Sequence, residues 1–195
     1  MVCDCSSDFL CRPLPIEKFG LIYACAQKNA GPSGVTVVII REDLLARSQE
    51  SLPGYLNYKL HADEDSLWNT PNTFGIYVVG LVAQWLQEEI GGLDKMLQKN
   101  RDKSKLLYDV LDESNGFYKG HAVPANRSLM NVTFRMPDEA TDKAFLKEAE
   151  QQGLGNLKGH RSVGGIRASI YNAMPVEGVL ALRDFMREFL LRNKK

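Results

Sequence analysis

Leu21-Ile22-Tyr23-Ala24-Cys25-Ala26-Gln27-Lys28-Asn29-Ala30-Gly31-Pro32-Ser33-Gly34-Val35-Thr36-Val37-Val38-Ile39-Ile40 is the stretch on which the fold turns. Two short apolar runs, 21–26 and 35–41, rich in β-branched residues, flank a Gly-Pro-Ser-Gly turn and read as short buried strands of a larger sheet. Lys28 falls between them, where an ammonium near apolar surface is disfavoured relative to the neutral amine, and a neutral amine attacks carbonyl carbon. On this segment alone the ordinary reading, a solvated head on an apolar stem, outweighs a reactive one.

Working outward, residues 1–6 read as another strand. The sequence opens directly on it, with no helix ahead and none of the neighbours that a parallel sheet needs, so it reads as beginning in the middle of a domain. Residues 51–65 are polar, contain Pro53 and read as a loop. Asn69-Thr70-Pro71-Asn72-Thr73 carries hydroxyl and amide caps that announce a helix, in which Phe74, Tyr77, Val78, Leu81, Val82, Trp85 and Leu86 recur at helical spacing until Gly91-Gly92. A second helix is expected over 93–111, apolar on one face, charged on the other, and long enough to connect two domains. Beyond it come a strand at 130–135, a helix at 141–151, strands at 154–158 and 166–171, and a last helix from Pro175 to Leu191, a compact α+β unit.

Composition narrows the function classes. With 195 residues, 44% of them hydrophobic, and 24 basic against 24 acidic side chains, the chain reads as a soluble globular protein of one or two domains. A net charge of zero argues against a nucleic-acid partner, which requires a concentrated basic face. The basic end, Arg192 to Lys195, suits a helix C-terminus. No apolar run approaches a membrane span and no secretory signal is visible, so no membrane partner and a cytoplasmic location are expected. Cys3, Cys5, Cys11 and Cys25 include no Cys-x-x-Cys pair and no following His cluster; free thiols, and no metal site, are expected.

Four clusters carry more polarity than packing needs: Asp4 with Ser6 and Ser7, Gln27-Lys28, Asn69-Thr70, and Lys158-Gly159-His160-Arg161 running into Gly164-Gly165-Ile166-Arg167. Singly, each has an ordinary role in a turn, a cap or a solvated loop. Together they order a carboxylate, an amine, phosphate-type donors and two arginines.

Carried by Cys3-Asp4-Cys5-Ser6-Ser7, the run 20–29, Trp68-Asn69-Thr70-Pro71, Asn126-Arg127-Ser128 and, most discriminating, the run 158–169, the chain resembles the phosphoserine aminotransferases, a family of class V, fold-type I pyridoxal-phosphate (PLP) enzymes. The resemblance spans nearly the whole chain. It implies an α/β fold, with residues 1–92 as the C-terminal portion of a large PLP-binding domain, whose N-terminal portion is missing, and 93–195 as a connecting helix and a complete small α+β domain. It implies PLP as cofactor, Lys28 as the attachment lysine that also shuttles a proton, Asp4 as the partner of the pyridinium nitrogen, and Gln27 as a donor to the cofactor phosphate. Asn69 and Thr70 would reach that phosphate in the neighbouring subunit of a homodimer. Arg167 would clamp the substrate α-carboxylate, and His160 and Arg161 the substrate phosphate. The implied reaction moves an amino group between glutamate and 3-phosphohydroxypyruvate, giving phosphoserine and 2-oxoglutarate in serine biosynthesis; the related 4-phosphohydroxythreonine step of pyridoxine synthesis is also implied.

The chain departs from the family at Cys5, where a bulkier residue is common, at Cys25, where glycine is common, and in the stretch expected ahead of Asp4. Two other readings fit the same residues. One is a non-catalytic fragment or interaction remnant. The other is a different class V member, such as a serine-glyoxylate aminotransferase or a cysteine desulfurase, against which the phosphate pair His160-Arg161 argues.

Overall fold

The computed structural model describes residues 1–193. It has a mixed α/β fold that divides into two compact units, Met1–Leu93 and a second starting at Asp94. Lys194 and Lys195, expected in the basic end of the last helix, lie outside the described residues.

The first unit is built on a three-stranded sheet of β1 (Val2–Asp4), β2 (Leu21–Cys25) and β3 (Thr36–Ile40). β1 and β2 run parallel, pairing Asp4 with Tyr23, whereas β3 returns antiparallel, pairing Tyr23 with Val38. The reversal follows from the connection: residues 26–35 hold no helix to carry a parallel crossover, and Ala26 N–H donates to Val35 O at 2.9 Å to close the turn. The expectation of buried strands holds for β2 but not for β3, where Thr36 is exposed and Val38 is 36% exposed. Cys5, Ile22 and Ala24 form the small buried core, packed by Phe9, Leu14, Phe19 and Ile39.

Short helices α1 (Glu42–Leu45) and α2 (Tyr58–Asp63) follow. The latter lies inside the expected 51–65 loop, which is therefore not a plain loop: Asn57 caps it by accepting from Leu60 N–H at 3.2 Å, a start signal hidden among polar residues. Helix α3 (Thr73–Glu88) starts where expected, but Asn72 supplies the cap, accepting from Gly75 N–H at 3.0 Å, which leaves Asn69 and Thr70 out of that role. Gly91 and Gly92, with φ of 85° and 93°, end the segment in a conformation that suits glycine.

In the second unit, α4 (Leu93–Glu113), α5 (Glu139–Gln151) and α6 (Val176–Asn193) share one core with an antiparallel sheet of β4 (Lys119–Gly120), β5 (Asn131–Arg135) and β6 (Ile166–Ser169). Phe145 sits at its centre, with the rings of Phe185, Phe189, Phe134 and Tyr118 at 4.9, 5.1, 5.9 and 6.2 Å. Asp138 caps α5 by accepting from Thr141 N–H at 2.8 Å. No strand forms at 154–158, because Gly153 (φ 79°) and Asn156 (φ 60°) interrupt extended backbone; only a Lys158–Ile166 bridge remains. The polar face of α4 is not wholly solvated either: Asn100, Lys103 and Ser104 are buried.

Candidate active site

Because β1 and β2 are parallel and adjacent, Asp4, the last residue of β1, and Lys28, three residues past the end of β2, leave the sheet at the same edge, where open α/β sheets bind ligands. Ser6 ties the two exits together: its N–H donates to Asp4 Oδ1 at 2.8 Å, while its Oγ accepts from Cys25 N–H at 3.1 Å. The Ser6 hydroxyl and amide hold the exposed Asp4 carboxyl below its usual range, with smaller help from the Tyr23 hydroxyl and the Lys28 charge, so it is an anion at neutral pH. Asp4 in turn pushes the Tyr23 phenol up.

Lys28 is half-buried, beside buried Ala26, Asn29 and Ala30, in a turn tightened by Ala30 and Gly31 N–H groups that both donate to Ala26 O at 2.9 Å. Gly31 lets this turn lie against α3; a Cβ there would fall 2.8 Å from Val79 Cγ2. The amine does not end in a purely apolar wall: Nζ donates to Ser7 Oγ at 2.6 Å. Gln27 is exposed. Asn69 and Thr70 are exposed too, and their only mutual bond is Asn69 Nδ2 to Thr70 O at 3.1 Å. Asn69 lines a groove of about 660 Å³ shared with Tyr55, Tyr58, His61 and Ile76. Two of these residues also meet Trp68, Tyr55 edge-on at 5.3 Å and His61 at 5.9 Å.

The basic cluster belongs to the second unit. Arg167, on β6 opposite Thr133, is half-buried, and its N–H donates to Leu157 O at 2.8 Å. Its Nε is buried and has no acceptor among the described residues. A guanidinium in that state invites an anion, and a planar carboxylate matches the fork. His160 and Arg161 are exposed on a turn in which Val163 and Gly164 N–H donate to His160 O at 2.9 and 2.7 Å. Ser162 N–H donates to His160 Nδ1 at 3.3 Å, so Nδ1 serves as an acceptor and Nε2 is the ring nitrogen left to donate. Gly159 N–H donates to Gly165 O at 2.8 Å, and Gly164 and Gly165 take φ of 76° and 67°. Glycine is required there: a Cβ on Gly159 would lie 2.0 Å from Gly164 O.

Sequence reasoning missed Tyr23 as a partner of Asp4, since no local signal reveals strand register. It also missed Lys103, which looks like any charge on a helix face. Among the described residues no cluster of three or more His, Cys, Asp and Glu is placed to hold a metal ion, and no helix is long and apolar enough to cross a membrane.

A family model described as aminotransferase class-V matches residues 1–182. A phosphoserine aminotransferase of Rhodopirellula baltica is 62% identical over 193 residues, covering 99% of this chain and 51% of that protein. The solved phosphoserine aminotransferase from Bacillus circulans subsp. alkalophilus superposes with a TM-score of 0.93 at 53% identity, over 98% of this chain and 53% of that one. A PLP-bound phosphoserine aminotransferase from Trichomonas vaginalis gives a TM-score of 0.88 at 42% identity, over 95% of this chain and 53% of that one. The chain thus spans about half the length of the relatives it matches, and its α/β fold is the one these aminotransferases share.

Proposed function

The chain belongs to the class V aminotransferase family, and on that premise we propose that it is the C-terminal half of a phosphoserine aminotransferase. The protein would move an amino group reversibly between glutamate and 3-phosphohydroxypyruvate. The observation that carries the reading is the pairing of an ionised carboxylate, Asp4, and an amine, Lys28, at one edge of parallel strands.

The residues fit PLP by the chemistry of the donor set. An exposed anion held ionised by Ser6 suits a cationic ring nitrogen, and a half-buried amine suits an aldehyde. Bound PLP supplies an electron sink for the bond broken at the substrate α-carbon. Asp4 keeps the ring nitrogen protonated and Gln27 donates to the phosphate. Lys28 would hold the cofactor and would carry the proton to and from the substrate α-carbon, with Ser7 Oγ, which accepts from its Nζ at 2.6 Å, positioned to receive the amine's N–H. Arg167 takes the α-carboxylate, its Nε finding an acceptor there. His160 Nε2–H and Arg161 take the substrate phosphate; a 4-phosphohydroxythreonine substrate would present the same two groups.

We further read Asn69 and Thr70 as completing the partner's site in a homodimer. Their exposure beside a groove rich in aromatic residues supports this, as do exposed Phe74, Ile76 and Tyr77 on α3. The test is the protein supplied with PLP, its visible spectrum recorded before and after borohydride, with phosphoserine-dependent formation of glutamate from 2-oxoglutarate assayed alongside. The reading expects a band trapped on Lys28, lost in Lys28→Ala, together with turnover. A protein of full family length that shows neither refutes it. Binding without turnover would favour a non-catalytic remnant.

A further inference from the structure

Lys103 is a lysine that α4 buries without any carboxylate. It is 5% exposed, forms no ion pair among the described residues, and places Nζ among four backbone carbonyls: Tyr171 O at 2.8 Å, Met174 O at 3.1 Å, and Ile170 O and Asn172 O at 3.3 Å. Burial is costly for this group and pushes its pKa down to about 8. A methionine would fill similar volume without that cost, so what lysine adds is an ammonium with three N–H donors. Those donors all serve one segment, residues 170–174, which begins where β6 ends.

That segment is held from β5 as well, where Asn131 Oδ1 accepts from Ser169 Oγ at 3.2 Å and from Tyr171 OH at 3.3 Å, and on α4 itself Asn100 Nδ2, one turn before Lys103, donates to Asn172 Oδ1 at 2.9 Å. The other end of β6 is held by the Lys158–Ile166 bridge and by Arg167 N–H on Leu157 O. The short strand that carries Arg167, paired along β5 with Arg167 opposite Thr133, is thus held at both ends, and at its exit Lys103 acts beside Ile170 N–H, which donates to Met130 O at 2.8 Å.

We propose that Lys103 is a positioning residue for Arg167: by gathering the carbonyls of residues 170–174 onto α4 it fixes the exit of β6, and with it the guanidinium that takes the substrate α-carboxylate. This rests on the assignment of Arg167 as the carboxylate clamp. It adds a residue on a different element, with no contact to substrate, that sets how well the clamp is aimed.

The test uses the complete enzyme with Lys103→Ala, Lys103→Met and Arg167→Lys. Lys103→Ala is expected to raise KM for glutamate about tenfold with kcat changed less than about twofold, as for loss of a binding alignment. Inhibition by inorganic phosphate, which reads His160 and Arg161, should stay within about twofold. Propylammonium, the missing piece of the side chain, should recover much of the loss in Lys103→Ala but none in Lys103→Met, where the space is filled. Lys103→Ala should add little on top of Arg167→Lys, since it acts only through that guanidinium.

An unchanged KM, or KM and phosphate inhibition shifting together, overturns the proposal and leaves Lys103 a purely structural cap. The Arg167 Nε–H resonance of ¹⁵N-labelled protein is read in parallel and needs no turnover. It should broaden in Lys103→Ala and sharpen again with propylammonium; an Nε–H signal unmoved in both variants overturns the proposal even where the wild-type protein proves not to transaminate.

Discussion

Replacing Gly159 by alanine tests the turn that presents His160 and Arg161. The new Cβ would stand 2.0 Å from Gly164 O, 2.7 Å from its carbonyl carbon and 2.8 Å from Gly165 O, all of them backbone atoms. Relief requires the carbonyl to retreat by about 1 Å or more, since non-bonded carbon and oxygen sit well beyond 3 Å. That movement breaks the Gly159 N–H to Gly165 O bond and strains the two bonds from Val163 and Gly164 N–H to His160 O. At about 1 kcal/mol for each bond weakened, the turn loses about 2 kcal/mol or more of local stability. Gly155→Ala is the matched control: no atom lies within 4 Å of its Cβ position and its φ is not positive, so it should be neutral or stabilising by a few tenths of a kcal/mol. Native-state hydrogen exchange reads the difference directly. Val163 and Gly164 amides should exchange about thirtyfold faster in Gly159→Ala, while amides of β5 keep their protection. If Gly159→Ala and Gly155→Ala exchange alike at these amides, the close approach of 159 to 164–165 is not what holds the turn.

Other consequences can be checked on the same protein. Phe145→Ala empties the centre of the second unit's aromatic cluster and should cost about 3–5 kcal/mol in urea unfolding followed by near-ultraviolet circular dichroism; a loss under about 1 kcal/mol would mean the cluster is loosely packed. Ser6→Ala removes the largest influence that depresses Asp4, so the Asp4 carboxyl, held below the usual carboxylate range in the native protein, should move upward in a ¹³C-detected titration, and an unmoved midpoint would contradict the Ser6 contact. Lys103, pushed by burial from 10.5 down to about 8, with Lys99 adding to the fall, binds fewer protons folded than unfolded between those values. Stability should therefore rise as pH climbs from about 8 towards 10.5, and Lys103→Met should remove that part of the slope; identical slopes in both proteins would contradict it. Arg127→Lys gives up a two-point bond to Asp112 and the 4.5 Å stacking on Tyr108, and should destabilise by about 1 kcal/mol in thermal unfolding; no change would assign that pair to solvent.

Much of the local structure was legible because its signals are local. The β-branched runs around the Gly31-Pro32-Ser33-Gly34 turn became β2 and β3, the apolar spacing from Phe74 to Leu86 became α3, and the stretch from Thr141 to Gln151 lies within α5. Misreadings occurred where the signal was weak or the backbone unusual. Helix α2 has only six residues in a polar stretch, β4 has only two residues, and the expected strand at 154–158 is broken by the positive φ of Gly153 and Asn156.

By itself the sequence determined which chemistry this chain can carry: a carboxylate at Asp4, an amine at Lys28, and a turn with His160, Arg161 and Arg167 whose glycines permit it. These depend on residue type and short spacing alone. Only the tertiary structure decided that β1 lies parallel to β2 while β3 lies antiparallel, which is what sets Asp4 across from Tyr23 and brings Lys28 out at the same edge. It alone decided that the Arg167 Nε is left without an acceptor among the described residues and that Lys103 points inward to four carbonyls. Register, strand direction and burial are properties of what packs against a residue, and the packing partners here lie tens of residues away along the chain, beyond the reach of any local pattern.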